Sequence, residues 1–128
     1  IQKEFQDLGL EDKVRFMGVR KDTQNLYQAM DLFLLPSFFE GFPVVAVEAQ
    51  DAGLPILASS NVTKEIELTP LVRFQDLQES TKEWVKAIKN MPKLLRKDYV
   101  TELENAGFNI KQEAQQLAKF YEQAYEEK

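Results

Sequence analysis

The sequence predicts an α/β fold in which a parallel β-sheet is flanked by helices, and three features lead to this prediction. The apolar run 31–35, ended by Pro36, is typical of a buried parallel strand. Pro43 stands where proline suits the first position of a helix. Gly53 reads as the left-handed cap of that helix, and the apolar run 56–58 follows at once. Strand, loop, helix and strand therefore form one βαβ unit.

The remaining elements are predicted from apolar runs and helical spacing. A strand beginning at Val14 and another over Leu71–Phe74 would give a sheet of about four strands. Helices are expected over Ile1–Leu8, Thr81–Met91, Asp98–Asn105 and Gln112–Glu126. The apolar side of the last helix packs either on this domain or on another one; it consists of Ala114, Leu117, Phe120 or Tyr121, and Ala124.

Composition predicts one domain over residues 1–128 and excludes several classes of function. The net charge of -5 argues against nucleic acid as a partner, because phosphate contacts need a basic face. The absence of cysteine rules out disulfides and thiolate metal sites. No apolar run is long enough for a transmembrane segment.

Two carboxylates stand on either side of the predicted helix start at Pro43. Glu40 lies in the loop before it, and Glu48 lies about a turn and a half inside the helix, at ~3.6 residues per turn. The helix start offers free N–H groups and a partial positive charge, which suit a diphosphate. Carboxylates accept hydrogen bonds from sugar hydroxyls. The pattern therefore indicates a site for a sugar nucleotide.

Each carboxylate also has a simpler interpretation. Glu48 could be a solvated charge, but its neighbours along the helix, such as Val44 and Val45, are mostly small or apolar, and a charge in such a run usually has a specific partner. Glu40 could be an exposed loop acid that complements the helix dipole, and the local pattern leaves that alternative open.

The motifs of this region resemble those of a known family. They are Pro36-Ser37, Gly41-Phe42-Pro43 and Ala52-Gly53-Leu54-Pro55, with seven residues between Glu40 and Glu48. Segments 14–18, 25–31 and 107–110 extend the likeness over nearly the whole chain. Together they resemble the donor-binding domain of the group 1 glycosyltransferases, retaining enzymes with the two-domain GT-B fold.

The resemblance implies a role for each matched residue. Glu40 would be the catalytic-site residue that contacts the transferred sugar, and Glu48 would bind the nucleotide ribose. The donor-binding set would be completed by main-chain groups of Gly41, Phe42, Val44 and Val45 near the sugar and diphosphate, and of Gly18, Val19 and Arg20 near the base. The substrate would be a nucleotide diphosphate sugar such as a UDP-sugar, with no metal and no cofactor.

The resemblance also implies that this chain is an incomplete, Rossmann-like C-terminal domain of a GT-B fold. The N-terminal acceptor domain and a basic pair that holds the donor phosphates would be absent, so the chain alone is expected to be inactive. The whole enzyme would be a hexosyltransferase acting on a saccharide or lipid-linked acceptor in synthesis of a bacterial capsule or exopolysaccharide. We expect it in the cytoplasm, peripheral at the inner face of the membrane.

Three alternatives remain at this stage. Arg20-Lys21 could contact phosphate or could be a solvated pair, with Asp22 capping the next helix. The domain could be a non-catalytic α/β nucleotide-binding or protein-interaction domain. A receiver-type signalling domain is disfavoured because segment 14–18 ends without an acidic residue.

Overall fold

The computed structural model describes residues 2–93 and 96–126, so Ile1, predicted to begin a helix, lies outside them. The elements in these residues are α1 (Gln2–Asp7), α2 (Thr23–Ala29), β1 (Phe33–Leu35), α3 (Val44–Asp51), β2 (Ile56–Ser59), a short 3-10 helix (Lys64–Ile66), β3 (Val72–Gln75), α4 (Thr81–Lys89), α5 (Val100–Asn105) and α6 (Ile110–Glu126).

The three strands form one parallel sheet in the order β1-β2-β3. Leu35 of β1 lies opposite Ala58 of β2, which in turn lies opposite Phe74 of β3. All four residues of β2 are buried, as expected for the middle strand of a parallel sheet covered on both faces. The α/β class with a parallel sheet and flanking helices is confirmed.

The strand predicted from Val14 is wrong, and the described part of the sheet has three strands rather than four. A strand exists through hydrogen bonds to a neighbour, and residues 14–17 pair with no other strand among the described residues. Phe16 and Met17 are 53% and 44% exposed, although the ring of Phe16 packs edge-on against Phe5 of α1. Apolar composition alone therefore predicted a strand here, although a strand also needs a neighbour to pair with, and the described part of the chain supplies none.

Helix α3 packs on the sheet and places the region of interest. Pro43 is its N-cap, one residue before the helix proper, and not its first helical residue as predicted. Gly53 is left-handed at φ 66°, as predicted, and a Cβ there would lie 2.8 Å from the carbonyl oxygen of Lys97. Ala46 and Ala49 are fully buried, so two small side chains let the helix approach the sheet closely.

Helix α6 begins two residues earlier than predicted. The side-chain oxygen of Asn109 accepts hydrogen bonds from the N–H groups of Lys111 and Gln112, at 3.0 and 3.2 Å, and so caps the helix start. None of the residues of α6 is buried. Its apolar side, including Leu117 and Phe120, thus stays uncovered by the described part of this domain. No helix in residues 2–93 and 96–126 is both long and apolar enough to span a membrane.

Candidate functional site

The site is built at the edge of the sheet where the parallel strands end. The loop 36–42 leaves β1 at this edge and leads into α3. The hydroxyl of Ser59, at the end of β2, donates a hydrogen bond to the carbonyl oxygen of Ser37. This bond ties the loop to the neighbouring strand. The carboxyl edge of a parallel sheet is where ligands of such folds usually bind.

Glu40 is partly buried in this loop and has a defined partner. The hydroxyl of Ser37 donates a hydrogen bond of 2.8 Å to its Oε1. A hydrogen bond to an ionised group is stronger than one between neutral groups. The carboxylate is therefore held by its own loop, which is compatible both with contacting a ligand and with complementing the helix dipole.

The N-terminus of α3 has no side-chain cap, because its N-cap residue is Pro43. The N–H of Ala46 bonds to the carbonyl oxygen of Pro43 at 2.9 Å, whereas Val44 and Val45 lie in the first turn, where helix N–H groups have no intrahelical acceptor. Both valines are exposed, at 61% and 38%. Gly41 has open space around the position of a Cβ. An anion could reach the main chain here.

Phe42, the remaining residue of this loop in the predicted donor set, packs on the last part of the chain. Its ring stacks on Phe108, with centroids 5.7 Å apart and planes inclined by 13°. The stack joins the loop before α3 to the segment between α5 and α6.

Glu48 is exposed on the second turn of α3, and it also has a defined partner. The hydroxyl of Tyr27, on α2, donates a hydrogen bond of 3.1 Å to its Oε2. Tyr27 itself is only 6% exposed. Burial, and then the hydrogen bond to Glu48 and its negative charge, raise the pKa of the Tyr27 phenol. Glu48 therefore has a specific partner, which is the hydroxyl of a mostly buried tyrosine.

Gly18, Val19 and Arg20 lie before α2, and Val19 is fully exposed. The guanidinium of Arg20 bonds to Asp22, with 2.7 Å between Nε and Oδ1. This hydrogen bond raises the pKa of Arg20 and lowers that of Asp22. Asp22 occupies the N-cap position of α2, but its side chain makes no capping bond, contrary to the simpler interpretation of this pair. The segment is connected to the site through α2, which packs against α3.

The structure thus gathers the predicted residues into two groups. One group surrounds the start of α3 and comprises Glu40, Gly41, Phe42, Val44, Val45 and Glu48. The other is the segment Gly18–Arg20 before α2. A model of the family described as "Glycosyl transferases group 1" matches residues 1–91 of this chain.

The chain belongs to the group 1 glycosyltransferase family.

Curated relatives agree with this assignment. The glycosyltransferase chain is 30% identical over 125 residues to "Putative glycosyltransferase EpsF" of Bacillus subtilis, covering 94% of this chain and 33% of that protein. It is 41% identical over 54 residues to the UDP-Gal:alpha-D-GlcNAc-diphosphoundecaprenol alpha-1,3-galactosyltransferase of Escherichia coli, covering 42% of this chain and 14% of the relative. It is 36% identical over 58 residues to the Vi polysaccharide biosynthesis protein VipC/TviE of Salmonella typhi, covering 45% and 10%. The chain therefore spans about a third of the length of EpsF and less of the other two.

Sequence reasoning assigned no role to three polar residues of this candidate site: Tyr27, Ser37 and Ser59. The Ser37 bond spans three residues, so a serine placed three positions before an acid was a local signal that could have suggested it. The other two bonds span 21 and 22 residues. Only the packing of α2 on α3, and of β1 beside β2, brings those partners together.

A cavity beside Glu48 was also not foreseen. It has a volume of about 460 Å³ and lies between α3 and the segment from α5 to the start of α6. Val44, Val47 and Phe108 supply apolar walls. The charged lining is mostly acidic and consists of Glu48, Asp51, Glu104 and Lys111. Within residues 2–93 and 96–126 of the glycosyltransferase chain, no group of three or more acidic side chains is arranged to hold a metal ion.

Proposed function

We propose that this chain binds the nucleotide sugar donor of a retaining, GT-B-type glycosyltransferase at the N-terminus of α3. The observation that carries the proposal is a helix start without a side-chain cap, placed between two carboxylates that are each held by a hydroxyl. In this arrangement the diphosphate would take hydrogen bonds from the N–H groups of Val44 and Val45. Glu48 would accept from the ribose, and Glu40 from the transferred sugar.

The charge distribution supports a local attraction of the donor. The chain has a net charge of -5, so its overall field repels a nucleotide sugar. The start of a helix, by contrast, carries about half a positive charge and aligned donors. Gly41 leaves the main chain accessible directly before this helix start. The anion is therefore expected at α3 rather than elsewhere on the surface.

The same geometry suggests how transfer would be assisted. When the bond between the anomeric carbon and the diphosphate breaks, negative charge develops on the leaving phosphate. Donors already oriented at the start of α3 would stabilise that charge without reorganising. Glu40 would hold the sugar hydroxyls during this step and so position the anomeric carbon. No metal and no cofactor is needed in this proposal, and the main chain around Gly18, Val19 and Arg20 would face the base.

For the whole protein we propose transfer of a hexose to a saccharide or lipid-linked acceptor in polysaccharide biosynthesis. The names of the relatives support it, because one is a galactosyltransferase acting on a diphosphoundecaprenol-linked sugar and another is a polysaccharide biosynthesis protein. The uncovered apolar side of α6 would pack against an acceptor-binding domain. A lipid-linked acceptor would place the enzyme in the cytoplasm at the inner face of the membrane.

Titration calorimetry with UDP, GDP and ADP tests the donor site directly. We expect one diphosphate to bind, and we expect Glu48→Gln to weaken it at least tenfold, because a hydrogen bond to a charged group contributes about 1.5 to 3 kcal/mol. Glu40→Gln should instead weaken mainly the corresponding sugar nucleotide. Glu122→Gln, which makes the same charge change on exposed α6, is the control and should have no effect. Failure of all three diphosphates to bind, or full affinity in Glu48→Gln, would contradict the proposal.

A further inference from the structure

The side chain of Glu48 is oriented by a residue that would not itself touch the donor. Tyr27 lies on α2, 21 residues before Glu48, and its hydroxyl donates to Oε2 of the carboxylate at 3.1 Å. Glu48 is exposed, so without this bond its long side chain could adopt several rotamers in water. The bond selects the rotamers of Glu48 in which Oε2 faces α2.

Tyr27 is well suited to fix another side chain because it is itself fixed. It is 6% exposed, and its ring packs perpendicular to that of Phe33 in β1, with centroids 5.8 Å apart. Its carbonyl oxygen accepts a hydrogen bond of 3.0 Å from the guanidinium of Arg96, which also bonds to the carbonyl oxygen of Met30. The ring of Tyr27 is thus held by burial and by its packing on the sheet, and Arg96 holds the main chain of α2 at the same residue.

The bond also leaves acceptor capacity on the carboxylate. An ionised carboxylate has two oxygens and about four acceptor positions, and Tyr27 occupies one of them on Oε2. Oε1 and the rest of Oε2 remain for donors from solution. Two neighbouring hydroxyls on one face of a five-membered sugar, as in ribose, are donors that a carboxylate held in one orientation can accept together.

We propose that Tyr27 is a positioning residue that fixes Glu48 for the two ribose hydroxyls of the donor and so sets the preference for ribose over 2′-deoxyribose. This inference rests on the proposed function, because it assumes that Glu48 meets the ribose. Its physical basis is preorganisation: a side chain already held in its binding rotamer loses less entropy when the ligand arrives.

The test uses Tyr27→Phe, which removes the hydroxyl and keeps the ring. Because Glu48 is exposed, water can replace the phenol on the carboxylate, so the variant leaves no buried polar group without a partner and should fold. Tyr99→Phe is the matched control, since Tyr99 is equally buried, at 4% exposed, and lies at the start of α5. Both variants and Glu48→Gln are titrated with UDP, GDP and ADP and with their 2′-deoxy forms.

We expect Tyr27→Phe to weaken the binding diphosphate by about three- to tenfold, less than the loss of the carboxylate itself. The affinity for the 2′-deoxy form should fall less than the affinity for the ribose form, so the ratio of the two affinities should decrease. Combined with Glu48→Gln, the tyrosine change should add nothing further, because its effect acts through the carboxylate. Tyr99→Phe should leave affinity and preference unchanged.

Three results would overturn the inference, and they separate it from the proposed function. Normal affinity and preference in Tyr27→Phe, together with losses in Glu48→Gln, would leave the donor site standing and reject the role of Tyr27. If Tyr27→Phe weakened the ribose and deoxyribose forms equally, and also lowered affinity further when combined with Glu48→Gln, Tyr27 would have a general structural role. Unchanged binding in Glu48→Gln, or no diphosphate binding at all, would reject the donor site and the inference together.

Discussion

Ser37 and Glu40 form a closed hydrogen-bonded pair within the loop that precedes α3. The serine hydroxyl donates to Oε1 of the glutamate at 2.8 Å, and the serine carbonyl oxygen accepts from the hydroxyl of Ser59. Ser37 therefore links the end of β2 both to the conformation of the loop and to the direction of the Glu40 carboxylate.

Ser37→Ala should consequently weaken binding of the sugar-bearing donor while leaving that of the nucleoside diphosphate nearly unchanged. The variant frees the Glu40 carboxylate to rotate but leaves the helix start intact. We expect about a three- to tenfold loss for the nucleotide sugar, measured by calorimetry beside the diphosphate. Ser60→Ala, an exposed serine just beyond β2, serves as the control. Equal losses for both ligands would show that Ser37 supports the loop as a whole and not Glu40 in particular.

Gly41→Val should abolish detectable donor binding with little effect on stability. A Cβ at Gly41 meets no protein atom within 4 Å, and the backbone there does not have a positive φ, so the protein can accommodate the side chain. We expect a change in the free energy of unfolding of no more than about 0.5 kcal/mol, as for an ordinary surface substitution. The ligand, by contrast, would meet the valine.

Thermal unfolding with and without the binding diphosphate measures both effects of Gly41→Val, and Gly41→Ala should give an intermediate loss. If the valine variant keeps its ligand-induced shift in Tm, the phosphates do not lie beside Gly41. A large loss of stability would instead show that Gly41 is needed for the fold.

Gln50→Leu should destabilise the fold strongly, because Gln50 is fully buried and its amide joins three segments. It donates to the carbonyl oxygens of Ala46 and Ile66, at 3.0 and 2.9 Å, and accepts from the hydroxyl of Thr69 at 2.8 Å. Leucine would remove all three of these hydrogen bonds from the core. The Ile66 carbonyl oxygen would keep only its bond from the N–H of Leu68, and the Thr69 hydroxyl only its bond from the N–H of Leu71. At about 0.5 to 1.5 kcal/mol for each of the three lost hydrogen bonds, we expect a loss of about 1.5 to 4.5 kcal/mol.

Urea denaturation measures the effect of Gln50→Leu, with Gln116→Leu on exposed α6 as the control. A loss no larger than that of the control would mean that the amide contributes little to the link between α3, the 3-10 helix and the segment before β3.

Tyr27 should ionise at higher pH than an unperturbed phenol, because burial and then Glu48 raise its pKa. The folded state thus favours the neutral phenol. This preference stabilises the fold fully at pH values below the ordinary tyrosine pKa of about 10. The stabilisation is lost as the pH rises through the higher pKa of Tyr27 in the folded state. Ultraviolet difference titration should show a late component that Tyr27→Phe lacks.

Two further variants assign this late component. Glu48→Gln should move it to lower pH by removing the neighbouring charge, whereas Tyr125→Phe, which removes an exposed phenol, should leave it in place. A late component that persists in Tyr27→Phe would show that the raised pKa belongs to another tyrosine.

Much of the fold was predictable because its signals are local. Pro43 and Gly53 are backbone signals that limit α3 at both ends, and the apolar runs 56–58 and 71–74 are long enough to predict strands. The run from Val14 shows the limit of that reasoning, since a similar run forms no strand when none of residues 2–93 and 96–126 pairs with it.

The candidate site likewise has a part that local sequence signals predict and a part that depends on packing. The sequence by itself determined the order of strand, loop, helix and strand and placed Glu40 and Glu48 around one helix start, because turn, cap and spacing preferences act over a few residues. Only the tertiary structure decided which groups hold these carboxylates. Tyr27 reaches Glu48 across 21 residues, and Ser59 reaches the loop of Glu40 across 22. Such contacts depend on how α2 packs on α3 and how β1 pairs with β2, and no local pattern encodes that packing.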